Sequence, residues 1–353
     1  MSIEKSKFGQ MKDGNEVFVY SITNNSGMVV KVLEYGAIIT SILVPDKNGR
    51  VDDVVLGYDS LDEYENNSCF FGATIGRSAN RVAGGRFMLD GKEIQMPKNE
   101  GKNNLHTDRT LGFDKRLWAS AADNANNAVE MSLESLDGEA GLPGDLKMKV
   151  RFSLNDENEL RIEYSGVSDK TTVINCTNHS YFNLGGHKSG QILNEFMEIK
   201  ASRYTPVDSE SIPTGELAEV NASVFDFRSM KKIGDEIDND EQQLKYVGGY
   251  DHNFCLDGFD EKHVFLAAAV EDRESGRRME VYTDLPGIQF YSGNFISSDM
   301  RGKDGAVYGP RMGFCLETQY YPDSVNKDNF KKPIFKAGET SDSTTVYKFL
   351  CRT

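Results

Sequence analysis

A chain of 353 residues with 38% hydrophobic and 27% charged side chains is long enough to bury a large core and has the balance of an ordinary globular protein. Its formal net charge of −15 repels phosphate backbones and anionic lipid heads, which argues against nucleic acid or a membrane surface as partner. Anionic small molecules are disfavoured by the same field, although a local Arg cluster can overrule it.

The segment Met1–Lys7 has no apolar run of the kind a secretory leader carries, and no later run approaches membrane-spanning length. Period-two alternation predicts strands at Val29–Leu33 and Ile38–Val44, then a short helix at Ser60–Glu65. Arg86–Leu89 and Lys92–Met96 flank Asp90-Gly91, a pair suited to a two-residue hairpin turn. Further strands are predicted at Val129–Glu134, Leu146–Leu154, Leu160–Tyr164, Phe196–Ile199, Val264–Val270, Met279–Thr283 and Gly287–Tyr291. A second helical pattern spans Lys231–Ile237, and the acidic run Gly234–Glu241 reads as solvated surface. Strands do not alternate with long helices, so the expected architecture is all-β: one large antiparallel β-sandwich formed by the whole chain, residues 1–353.

The five cysteines are scattered and form no CxxC pair, so they read as reduced core residues, as in a cytoplasmic protein. Among the five histidines His179 has the strongest context, between the strand-like run Thr171–Ile174 and the turn closed by Gly185-Gly186. Histidine exchanges protons most readily near neutral pH. Far downstream, Glu317 lies in an apolar, aromatic segment; a His and a Glu on strand scaffolds make an acid/base pair conceivable. His106 falls in a polar loop, and His252 follows Asp251 in a segment where the aspartate binds and the histidine supports. His187 reads as exposed loop, and His263 opens a strand without a role. A lone histidine is more often structural than catalytic. No pair of His or Cys has zinc-site spacing, so no metal is expected.

Asn80-Arg81 precedes Gly84-Gly85. The arginine fork either holds vicinal sugar hydroxyls or tethers the loop to carbonyls, and the residues alone leave both open. Phe113, Trp118, Tyr181, Phe182, Phe290 and Tyr291 follow these candidates, where they stack on sugar faces or simply fill a core. Gly72–Ser78 is one residue short of a phosphate loop and lacks its lysine, and no GxSxG elbow exists.

Taken together, Asn80–Phe87, Asn104–His106 with Gly112–Trp118, Thr177–Leu184, Tyr250–Phe254, Pro286–Asn294 and Leu316–Gln319 with Pro322-Asp323 resemble, in order, the aldose 1-epimerases, the galactose mutarotase family. The resemblance implies a large β-sandwich, an isomerase acting on free aldoses such as D-galactose and D-glucose, and no cofactor. It assigns the catalytic base to Glu317 and the acid to His179. It also implies sugar contacts from Asn80, Arg81, His106, Ser180, Tyr181, Asp251 and Gln289. One departure stands out: the family usually follows its first site histidine with two glycines, whereas Thr107-Asp108 follow His106, and Asp108 is expected to accept a hydrogen bond from sugar or imidazole. The cycle implied needs Glu317 ionised and His179 protonated in the free site, with a bell-shaped pH dependence. Three rivals share some of these residues. A sugar-binding module needs neither proton-transfer group. A glycoside hydrolase needs two carboxylates, for which Asp251 and Glu317 are available. A hexose-6-phosphate epimerase needs several cations, whereas Arg81 alone is basic among the proposed positions.

Overall fold

The computed structural model describes residues 1–352. They form 29 strands and two short α-helices, Leu61–Glu65 and Gln242–Val247. The largest sheet has nine antiparallel strands, with Glu159–Ser168, Thr340–Cys351 and Arg277–Thr283 at its centre. Strand Leu146–Leu154 shows why it forms: Leu146, Met148, Val150, Phe152 and Leu154 are buried in alternation, and each apolar side chain that leaves water stabilises the fold by roughly 1.5–3 kcal/mol.

A five-stranded sheet runs in the order Ala218–Glu219, Arg203–Tyr204, Asp251–Cys255, Gly287–Tyr291 and Cys315–Gln319. Phe254, Ile288, Phe290 and Leu316 from this sheet share one core with Val270, Met279, Val281 and Phe349 of the nine-stranded sheet. A third sheet is the N-terminal five-stranded meander from Ser2–Gln10 to Val51–Asp53. The antiparallel β-sandwich expected from the alternation is therefore the observed architecture. Asp90 and Gly91 take positive φ, as the two-residue hairpin requires, with Leu89 paired to Lys92.

Some local readings differ from the structure. Lys231–Ile237 is no α-helix: Lys231–Lys232 pairs with Phe196–Ile199 as a sheet edge and then turns through a single 3₁₀ turn. Its apolar spacing reflects Ile233 and Ile237 reaching the core from irregular backbone. The real second helix starts just after the acidic run, where Glu241 caps Gln243 N–H. His187 is buried, not exposed, with Nδ1 2.9 Å from the Tyr308 hydroxyl. Cys176, Cys255 and Cys315 are core residues, but Cys351 is exposed and Cys69 lies on a cavity wall. No helix among the described residues is long and apolar enough to cross a membrane.

Candidate active site

The five-stranded sheet has two chemically distinct faces. Its register sets Asp251 opposite Tyr291, Asn253 opposite Gln289, Gln289 opposite Glu317, and Tyr291 opposite Cys315. Side chains alternate along a strand, so the residues between the core-facing Phe254, Ile288, Phe290 and Leu316 all point the other way. The polar set Asp251, Asn253, Gln289, Glu317 and Gln319 therefore shares one face. Gln289 Nε2 donates to Asp251 Oδ1 at 2.7 Å, and Gln319 Nε2 donates to Gln289 Oε1 at 3.3 Å. These amides hold the carboxylate row in place.

His179 ends the strand Thr177–His179, which pairs with Ala73–Ile75. Gly72 makes that pairing possible: its N–H donates to the His179 carbonyl at 3.0 Å, its φ is +69°, and a Cβ there would lie 2.0 Å from the Ile39 carbonyl oxygen. Tyr181 and Phe70 stack on the His179 ring, with centroids at 5.1 and 5.6 Å. Its Nε2 lies 3.7 Å from Glu317 Oε1, and its Nδ1 lies 3.4 Å from Cys315 Sγ.

Three non-glycine residues with positive φ shape the opposite wall: Asn80, His106 and Thr107. Thr107 stands where a glycine would be at ease, and its side chain compensates by accepting from Ser78 N–H at 2.8 Å and donating to Ser78 O at 3.1 Å. Asn80 N–H donates to His106 Nδ1 at 3.1 Å, so the neutral imidazole carries its proton on Nε2 and offers it as a donor. Arg81 donates through Nε and Nη2 to Glu100 at 2.7 and 2.9 Å, and its Nη1 lies 3.5 Å from Asp251. Both ends of the guanidinium thus have carboxylate partners. Lysine cannot reproduce that fork. An Arg81→Lys enzyme is expected to have a KM about ten times higher, equivalent to one charged hydrogen bond of ~1.5 kcal/mol, with a smaller change in kcat. Unchanged kinetics on free sugars would mean that Arg81 only tethers its loop.

These groups surround a cavity of about 320 Å³, of a size that suits a small polar ligand. Burial dominates its electrostatics. It pushes the Glu317 carboxyl well above the usual range, helped by the nearby Asp251 charge and opposed by Arg81. It draws His179 down to about 4 and His106 well below its usual value. Burial also raises Asp251, against the pull of Arg81. Both shifts run against the expected pairing of an ionised Glu317 with a protonated His179, because neither charge is hydrated there. One ligating atom each from His106, His179 and Glu317 falls within 4.8 Å of the others, a cluster that sequence spacing does not reveal. It does not suit a metal: His106 Nδ1 is taken by the Asn80 N–H and its Nε2 carries the proton, so the ring has no lone pair to offer.

Asn80, Arg81, His106, His179, Tyr181, Asp251 and Glu317 all line this cavity. Ser180 and Gln289 do not. Ser180 points away from it because it alternates with His179 and Tyr181, and Gln289 acts one hydrogen bond behind Asp251. Asp108 is not on the wall either: its carboxylate accepts from Thr110 N–H and Leu111 N–H and closes its own turn. His252 sits on the core face beside Phe225, and accepts from Asp251 N–H at 3.2 Å. Phe113, Trp118, Phe182 and Phe290 are core residues. The wall also includes Glu100, Phe70, Arg109 and Phe295, which sequence reasoning missed. Arg109 adds a second cation, placed over the Phe70 ring at 5.1 Å. An Arg three residues after a site histidine was the available signal for it; Phe70 and Phe295 lie in loops without period.

A family model described as Aldose 1-epimerase matches residues 19–348. The chain is 43% identical to the galactose mutarotase of Bos taurus over 99% of both chains, and 42% identical to that of Homo sapiens over 99% of this chain and 98% of the other. It is 39% identical to the aldose 1-epimerase of Escherichia coli (strain K12), over 96% of each. Among solved structures, a galactose 1-epimerase from Lactobacillus acidophilus superposes with a TM-score of 0.85 at 30% identity, covering 100% of this chain and 99% of that one. Fold, ordered motifs and full-length similarity converge: the chain belongs to the aldose 1-epimerase family.

Proposed function

We infer that Glu317 and His179 carry out the anomerisation that this chain, as an aldose 1-epimerase, performs on free aldoses such as D-galactose and D-glucose. The observation that carries this assignment is the approach of the two groups to 3.7 Å of each other on the cavity wall, with Glu317 Oε2 buried and without a hydrogen-bond partner among the described residues. Oε1, the oxygen on the His179 side, is left to meet a ligand, and the C1 hydroxyl of a cyclic aldose is a donor of the right kind.

In the forward step the Glu317 carboxylate takes the C1 hydroxyl proton. The C1–O5 bond breaks, its electron pair goes to the ring oxygen, and His179 delivers a proton there. Rotation about C1–C2 turns the other aldehyde face toward the oxygen, and the transfers reverse on closure. His106 Nε2–H and Arg81 contact the ring side, while Asn80, Tyr181 and Asp251 hold the remaining hydroxyls. Gln289 contributes by holding Asp251.

The pair needs one proton in total. Burial favours that proton on Glu317; the reactive form moves it to His179 without changing the count, so the limbs of the pH profile belong to the pair. The acid limb is entry of a second proton, and the alkaline limb is loss of the shared one. Asp251→Asn removes a negative charge that raises Glu317, so its alkaline limb is expected to shift to lower pH. An alkaline limb unmoved or moved upward in a kcat/KM profile would contradict this.

The whole chain acts as one unit around this site, and its five free thiols suit a cytoplasmic location. Polarimetry from pure α-D-galactose and α-D-glucose tests the activity. Acceleration toward the anomeric equilibrium is expected, and a rate equal to the uncatalysed one would overturn it.

A further inference from the structure

Resting on the anomerisation assigned to this site, we propose that the chain also takes aldoses with a carboxylate at C6, hexuronic acids such as D-galacturonate. Arg109 is the residue that selects them: its guanidinium stands on the cavity wall without a carboxylate partner, beside the groups that face the ring oxygen.

The placement follows from the loop that departs from the family. His106 and Thr107 take positive φ, and Asp108 closes a turn around Arg109 by accepting from Thr110 N–H and Leu111 N–H at 2.7 and 2.8 Å. The turn fixes the Arg109 backbone, and the guanidinium lies over the Phe70 ring at 5.1 Å. Phe70 in turn packs against both imidazoles, with centroids 4.8 Å from His106 and 5.6 Å from His179. The cation is therefore one aromatic ring away from the two groups assigned to the ring oxygen. In a pyranose that oxygen is bonded to C1 and C5, and C6 hangs from C5. Of the substituents other than the C1 hydroxyl, the C6 group lies nearest to it.

Charge separates the two arginines of the wall. Arg81 is shared between Glu100 at 2.7 Å and Asp251 at 3.5 Å. Arg109 has no carboxylate at ion-pair distance among the described residues; Asp114 reaches it only at longer range and already lies 3.9 Å from Lys115 Nζ. Arg81 and Arg109 together match Glu100 and Asp251, and the Glu317–His179 pair with its one proton is neutral. The wall thus carries no net charge, in a chain whose formal charge is −15. A sugar carboxylate enters such a cavity without net repulsion and meets one free planar fork. Without Arg109 the same wall is net negative. A phosphate at C6 brings a second charge, for which the wall holds no second free cation among the described residues, so a carboxylate is the better match.

Polarimetry of the full chain at neutral pH and low salt, started from α-D-galacturonate and from α-D-galactose, tests this. Acceleration of both above the buffer rate is expected. Arg109→Gln should lower the ratio of kcat/KM for galacturonate to that for galactose about fivefold, the scale of one exposed ion pair. The loss should appear in KM, because a carboxylate at C6 is held alike in ground and transition states. Arg109→Lys keeps the charge and should keep most of the ratio, and added salt should raise KM for galacturonate alone. Arg109 is exposed, so its replacement leaves the core intact, which the melting temperatures of both variants verify. A wild-type enzyme that anomerises galactose but leaves galacturonate at the buffer rate would overturn the proposal. An Arg109→Gln protein with an unchanged ratio would do the same, since it would reduce Arg109 to a cap on Phe70. D-Galactose 6-phosphate, added as a competitor to the galactose assay, should inhibit less strongly than galacturonate; the reverse order would overturn the choice of a carboxylate. Failure of the underlying reading is distinguishable, because galactose too would then stay at the buffer rate.

Discussion

A Glu317→Gln protein is expected to fold, retain sugar binding and lose turnover by about 10²–10⁴. The amide keeps the volume and the hydrogen-bonding capacity of the side chain, so contacts to the C1 hydroxyl survive while its proton can no longer be removed. Thermal stability should hold or rise. Glu317 is buried with one oxygen unpartnered, and the Asp251 charge nearby disfavours its ionisation. Replacing an ionisable group by a neutral one in that setting removes a potential charge that burial already penalises. Three measurements on the same preparation decide the matter: the melting temperature, the affinity for galactose by calorimetry, and the polarimetric rate. Near-normal mutarotation by a folded variant would mean that the base lies elsewhere.

Much of the fold was legible because period-two alternation is written strongly in strands such as Leu146–Leu154, whose buried face is unbroken. The same alternation carries the site in a form that single-sequence reading undervalues. Asp251, Gln289 and Glu317 come from three strands, and only the antiparallel register makes them neighbours. The resemblance implies sugar contacts from both Ser180 and Tyr181, yet adjacent residues of an extended segment point to opposite sides, and Tyr181 alone of the two lines the cavity. The Lys231–Ile237 reading failed because two apolar residues reaching a core from irregular backbone imitate a helical period. Protonation was the least legible property. Reference pKa values put Glu below His, whereas burial pushes the Glu317 carboxyl up and His179 down, and no pattern of residue types encodes how dry a cavity will be. The Thr107-Asp108 departure concerns backbone conformation: Thr107 bonds to Ser78 at positive φ and Asp108 closes its own turn, so neither side chain lines the cavity.

The two cavity histidines should separate kinetically. His179→Asn is expected to lower kcat by about 10²–10⁴, because the ring oxygen must receive a proton in every cycle and saturating sugar cannot supply one. His106→Asn should raise KM and lower kcat together, each by less, since a neutral Nε2–H donor contacts both ground state and transition state. Both variants should fold. Asn tolerates the positive φ of His106 well, and its carbonyl can still accept from Asn80 N–H. At position 179 the backbone pairing with Ala73 and Gly72 does not involve the ring. Steady-state rates measured across a wide sugar range, after circular dichroism has verified folding, give the comparison. If His106→Asn proves the slower enzyme at saturating sugar, the acid is His106, and the 3.7 Å approach of His179 to Glu317 serves positioning instead.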